Sequence, residues 1–166
     1  MTYLSRLAMV LLVAVSAAAA QDDESERQSL KGLKGVNVLV EDLKAEAERD
    51  GLKQTSIQTD VELKLRQAGI AVLTKAEAPA APGAPCLYIS VSTSQSGSLY
   101  GFSIKVELKQ NVRLDRDPSM WLPGVTTWSV DAVGTVGREK LRNLRDGIKD
   151  YVDRFINAYL SVNPKR

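Results

Sequence analysis

Phe102-Ser103-Ile104-Lys105-Val106-Glu107-Leu108-Lys109-Gln110-Asn111-Val112-Arg113-Leu114 is the most regular stretch of the chain. Apolar side chains at 102, 104, 106, 108, 112 and 114 alternate with polar ones at 103, 105, 107, 109, 111 and 113. Gln110 alone puts a polar group on the apolar side. Side chains of an extended strand point alternately to its two faces, so the pattern predicts a long strand with one face on a core and the other in water. Sheets wetted on one side are mainly antiparallel, with the dry side covered by another layer.

Working outward, residues 87–93 alternate in the same way and are joined to this strand by the turn chemistry of Ser94-Gln95-Ser96-Gly97-Ser98. Downstream, residues 115–124 read as a loop and 125–136 as a further strand with Trp128, Val130, Ala132 and Val136 on one face. Residues 138–160 then form a long helix whose apolar stripe includes Leu141, Leu144, Ile148, Val152, Phe155 and Tyr159. Lys149–Asp153 and Asp150–Arg154 lie one turn apart on its solvent side, and Asn163-Pro164 ends it.

Upstream, Val36, Val38 and Val40 share a face of a strand over 36–43, followed by a charged loop over 44–54. A helix over 56–68 carries Ile57, Val61, Leu65 and Ala68, with Thr55 and Gln58 spaced as a capping box and Gly69 as its stop. Residues 70–74 form a short strand, so strand, helix and strand suggest a right-handed crossover between parallel neighbours. The proline- and alanine-rich residues 76–85 read as a surface connection inside one domain. The expected fold is an α+β two-layer sandwich: a mixed, mainly antiparallel five-stranded sheet with two helices on one face, in the order β-α-β-β-β-β-α.

The first twenty residues carry a different signal. A short basic lead with Arg6, an unbroken run of apolar and small residues over 7–20, and Ala18-x-Ala20 before Gln21-Asp22-Asp23-Glu24 are the parts of a secretory signal peptide. The expected organisation is a signal peptide over 1–20, cleaved near Ala20, a disordered acidic tail over 21–30, and a single α+β domain over 31–166. The apolar run is shorter than the roughly 20 residues a membrane span needs, so the mature chain is expected to have no transmembrane segment and to be periplasmic or secreted.

Composition narrows the chemistry. The 166 residues hold 22 Lys and Arg against 20 Asp and Glu, a formal charge of +2. Such a balance gives no general basis for nucleic-acid binding, which rests on neutralising many phosphates. There is no histidine and one cysteine, Cys86. Serine–histidine and cysteine–histidine nucleophile pairs cannot form, and neither can a zinc site with several thiolates. Cys86 reads as a small residue opening a strand, with an intermolecular bridge or reactive thiol as alternatives.

Three candidate sites survive. Glu41, Asp42 and Asp131 are carboxylates that glycoside chemistry or Ca²⁺ binding would use if the fold gathered them. Gly134, Gly137, Arg138 and Lys140 stand at a strand-to-helix turn where free N–H groups and cations can hold a small anion. Arg138, Lys140 and Arg142 there crowd the positive end of a helix dipole, an unfavourable arrangement without compensation. Met120, Trp121 and Leu122 are an apolar loop tip that either docks a partner or closes one end of the core. The polar sheet face with Lys105, Glu107, Lys109, Asn111 and Arg113 reads as charges pairing across strands.

The stretches over 33–43, 61–72 and 133–164, the last containing Gly134-Thr135-Val136-Gly137-Arg138, together resemble a group of short exported bacterial proteins of uncharacterised function. The resemblance implies export and a single domain, and assigns no site. The functional expectation is therefore a non-catalytic binding module of the bacterial envelope, with no cofactor, whose partner is another envelope protein or a second copy of itself. The alternatives are a binder of small anions at residues 134–140 and a carboxylate-based hydrolase.

Overall fold

The computed structural model describes residues 23–164. The signal peptide and its cleavage point lie outside the described residues.

The alternating stretch forms β4, Leu99–Leu114, with Ile104, Val106 and Leu108 buried. It pairs antiparallel with β3, Cys86–Ser96, so that Leu87, Ile89 and Val91 meet Leu108, Val106 and Ile104 on the dry face. Gly97, at φ 58°, makes the tight turn between them. On its other side β4 pairs antiparallel with β5, Asp117–Gly137, which adds buried Trp128 and Val130. β1, Gly35–Val40, lies parallel to β3 and to the three-residue β2, Ala71–Leu73, giving the order β2-β1-β3-β4-β5. The expected five-stranded mixed α+β sandwich is the fold of the chain.

Two amphipathic helices cover one face. α3, Gln54–Gln67, bridges parallel β1 and β2 and buries Ile57, Val61 and Leu65. It stops at Gly69, whose φ of 82° is open to glycine at little cost. α4, Leu144–Val162, buries Ile148, Val152, Phe155 and Ile156 beside α3. The ring of Phe155 meets Trp128 edge-on, centroids 5.3 Å apart, at the centre of the core. Lys64 on α3 binds Asp153 on α4 at 2.5 and 2.7 Å, and Arg145 holds Asp60. Asp153 therefore faces α3, and Lys149 pairs with Asp146 at 2.7 Å instead of with Asp153 as expected.

Several expectations are corrected. The disordered tail is ordered from Asp23 onward, where α1, Glu24–Gln28, is capped by the Asp23 carboxylate. Leu30 is fully buried, and Ser29 and Glu26 reach Thr127 and Ser129 on β5. The charged loop over 44–54 contains α2, Ala45–Arg49, anchored by buried Ala47 and followed by buried Leu52. Thr55 does not cap α3: the helix starts at Gln54, whose backbone N–H donates to the Glu48 carboxylate at 3.2 Å. The Gln58 amide instead donates to Val38 O and Glu62. The first strand ends at Val40, three residues earlier than its apolar pattern.

The expected loop over 115–124 is largely strand, continuing β5. Pro118 and Pro123 fit there because β5 is an edge strand, where a missing N–H interrupts no ladder on the open side. The final helix also starts later than expected. Arg138–Asn143 is a 3₁₀ turn, and the α-helix begins at Leu144 with Asp146 in its first turn. Thus the three cations do not crowd the dipole of α4.

Candidate functional site

β4 and β5 outrun the rest of the sheet. β3 pairs with β4 only as far as Lys109, beyond which Gln110–Leu114 has β5 as its sole partner strand among the described residues. The two strands leave the body as a two-stranded arm. Its root is fixed at Gln110, the polar exception in the alternation. The Gln110 side-chain amide donates to Ser29 O at 3.2 Å and to Thr127 Oγ1 at 2.8 Å. The neighbouring Asn111 N–H donates to Gly83 O at 2.7 Å, so the proline-rich connection braces the same point.

The register breaks between Leu108 and Lys109, just before the arm, and between Gln110 and Val112 and Arg113 and Leu114 within it. Such bulges bend and twist a ribbon. Val112 lies opposite Leu122, and Arg113 opposite Trp121. The Arg113 guanidinium sits 5.2 Å from the Trp121 ring and donates to Pro118 O at 2.8 Å. Asp117 accepts from the N–H and hydroxyl of Ser119, which hold its carboxyl below the usual range. Met120 and Trp121 remain 45% and 49% exposed, while Leu122 is half-covered. The arm therefore does not fold back to close the core, and its tip presents an apolar surface rigidified by a cation–π contact. Met120, Trp121 and Leu122 lie on a strand and not on the expected loop, the first two half exposed.

The anion candidate is occupied by the protein's own groups. Gly134 lies opposite Phe102, and a Cβ there would sit 2.9 Å from the ring. Glycine is required so that the aromatic ring can cover the neighbouring backbone. At Gly137 a Cβ would lie 2.9 Å from the Glu139 carboxyl carbon, so a carboxylate already fills that turn. Arg138 binds Asp50 through Nε at 2.8 Å and Nη2 at 2.9 Å, and the buried Tyr100 donates its hydroxyl to the same carboxylate at 2.6 Å. The Arg138 and Tyr100 hydrogen bonds hold Asp50 below its usual range, and Asp50 in turn raises Arg138 and Tyr100. Lys140 is exposed. This is a brace between β4, the end of α2 and the 3₁₀ turn that follows β5.

The fold keeps the carboxylates apart. Glu41 follows β1 and donates its N–H to Ile89 O, whereas Asp131 is on β5, three strands away or about 14 Å. Glycoside hydrolysis needs two carboxyl groups about 5–9.5 Å apart. Asp42 accepts from the Gln54 amide at 3.1 Å. Among the described residues no three His, Cys, Asp or Glu side chains gather as metal ligands.

On the wet sheet face, Lys109 lies 3.8 Å from the Tyr88 ring centroid and 3.5 Å from Glu107, while Thr126 donates to Glu107. Burial and the hydrogen bond to Glu41 raise the Tyr88 hydroxyl. The Lys109–Glu107 ion pair lies within β4 and not across strands as expected; the contacts from this pair that cross to neighbouring strands are those to Tyr88 and Thr126. Cys86 opens β3 half-buried, its thiol pushed up by burial. Its Sγ lies 3.9 Å from Asn37 Oδ1.

No protein-family model matches the chain, and no curated protein matches it. Among the described residues no helix is long and apolar enough to cross a membrane.

Proposed function

We propose that the chain is an exported, non-catalytic interaction module of the bacterial envelope, and that it grips its partner through the β4–β5 arm. The observation that carries this reading is the Arg113–Trp121 pair beside Met120, held clear of the core on a braced ribbon. Trp and Arg are the residue types most enriched among energetic anchors of protein interfaces. An isolated two-stranded ribbon is marginally stable in water, so an arm of this kind gains order when a partner covers it. The signal-peptide pattern of residues 1–20 supports the placement outside the cytoplasm. Separated carboxylates and the filled turn at 134–140 favour neither alternative.

Photocrosslinking in the native envelope tests the proposal, with a photoreactive residue at position 121 and, as control, at Leu63, which is 50% exposed on α3. A discrete protein adduct from 121 that is missing from 63 is expected. Identical adducts from both positions, or none from 121, would overturn the arm as the contact surface.

A further inference from the structure

The two ends of the sheet are finished differently. One edge is β2, only three residues long. The other is the 21-residue β5, an extended row of backbone donors and acceptors. Most of that row is blunted. Pro118, Pro123 and Gly124 at φ 63°, with the register breaks within it, interrupt the arm. α1 covers the root, where Ser29 donates to Thr127 O and the Glu26 carboxylate accepts from Ser129 N–H. From Val130 to Gly137 the register is unbroken, with no proline and no lysine.

The Ser129 bond fixes which groups face outward. Its N–H points away from β4, so strand alternation turns the N–H and C=O of Asp131, Val133 and Thr135 to the same open side. No described residue hydrogen-bonds to them. Val133 stands in the middle of this window and is 77% exposed, the most exposed large apolar residue described. Its cross-strand neighbour is Ser103, so it has no apolar partner across the β4–β5 pair.

We infer that two copies of this chain join by antiparallel pairing of residues 130–136 of β5, with the two-fold axis at Val133. The edge is self-complementary in that register. Val133 meets Val133 of the second copy as a doubly hydrogen-bonded pair, and Asp131 meets Thr135, a carboxylate opposite a hydroxyl. Pairing centred on Asp131 would set two carboxylates face to face, which like-charge repulsion disfavours. The α1 cover at Ser129 and the turn after Gly137 limit slippage in either direction. The result is a continuous ten-stranded sheet with both arms free, so the dimer does not depend on what the arm binds.

Cysteine crosslinking reads the register directly, using the full chain as the host processes it, in a Cys86→Ala background. Hydrogen-bonded antiparallel partners have Cα atoms about 5.5 Å apart, within disulfide reach. Val133→Cys should oxidise to a covalent dimer. Asp131→Cys alone should not, because its copies are four residues out of register, about 13 Å apart; mixed with Thr135→Cys it should. Light scattering across a concentration series should show a dimer that Val133→Lys converts to a folded monomer and Trp121→Ala leaves intact. A monomer at every concentration, a dimer that survives Val133→Lys, or Asp131→Cys crosslinking alone as fast as Val133→Cys would each overturn the inference. If Val133→Lys fails to fold, the crosslinking pattern decides alone.

Discussion

The same two strands behave in opposite ways at their two ends. In the body, Leu108 of β4 faces Trp128 of β5 at the end of a run of regular register; both are buried, and Trp128 meets Phe155 edge-on. In the arm, Val112 faces Leu122 with the same alternation but with no helix over them, the register slips, and Trp121 is half-exposed. Period-two patterning specifies a strand; it does not specify that the apolar face will be covered. What distinguishes the halves is the second layer, which ends where α4 and α1 end.

Substitutions at the two tryptophans give the sharpest test of that contrast. Trp128→Ala removes the centre of the core and should cost about 3–5 kcal/mol, read as a shift in urea midpoint. An effect below about 1 kcal/mol would mean the body is no better packed than the arm. At the boundary, Gln110→Ala deletes two hydrogen bonds and strands the Ser29 carbonyl. It should cost about 1–3 kcal/mol, with hydrogen exchange rising in the arm before the body. Uniform exchange would show that arm and body open together.

The body carries a pH signature in the carboxylates that bridge its elements. Arg138 and Tyr100 hold Asp50 below its ordinary 3.8, and Arg145 does the same for Asp60. A carboxylate whose native value is depressed stabilises the fold fully above its unfolded value and loses that contribution as pH falls through the native one. The urea-midpoint gap between wild type and the double variant Asp50→Asn, Asp60→Asn should therefore close as pH falls through 3.8 and below. A constant gap would contradict the brace. Smallest of all, Trp121→Ala should change stability by no more than about 0.5 kcal/mol, while abolishing the adduct formed by a photoreactive residue placed at the neighbouring Met120.

Much of this body was readable because its elements bury enough of their own side chains to announce themselves. The strand around Val106, the stripe Ile57–Val61–Leu65, the stop at Gly69 and the stripe of α4 are each decided by local periodicity. Other features depend on distant contacts. α1 is polar throughout and is held by groups on β5, roughly a hundred residues away; α2 buries only Ala47. The donor at the start of α3 is met by Glu48 from the preceding helix, which no capping motif encodes. The prolines of the arm read as a loop because local rules do not reveal that the strand will lie at an edge. For the site, Trp121 was visible as an apolar tip, but its pairing with Arg113 needed the register. The open window around Val133 had no marker in the sequence at all, since its alternation is that of any surface strand.

Asn163 has a consequence of its own. Its amide donates to Leu30 O at 2.9 Å, its carbonyl oxygen accepts from Gly32 N–H at 2.7 Å, and nearby Tyr159 donates to Leu33 O at 2.9 Å. The earliest and latest parts of the body are thus knotted to one another side to side. The Asn163 bonds span 131 and 133 residues, so the clasp can close only after Asn163 has left the ribosome, and the segment around Leu30 stays unfastened on this side until then.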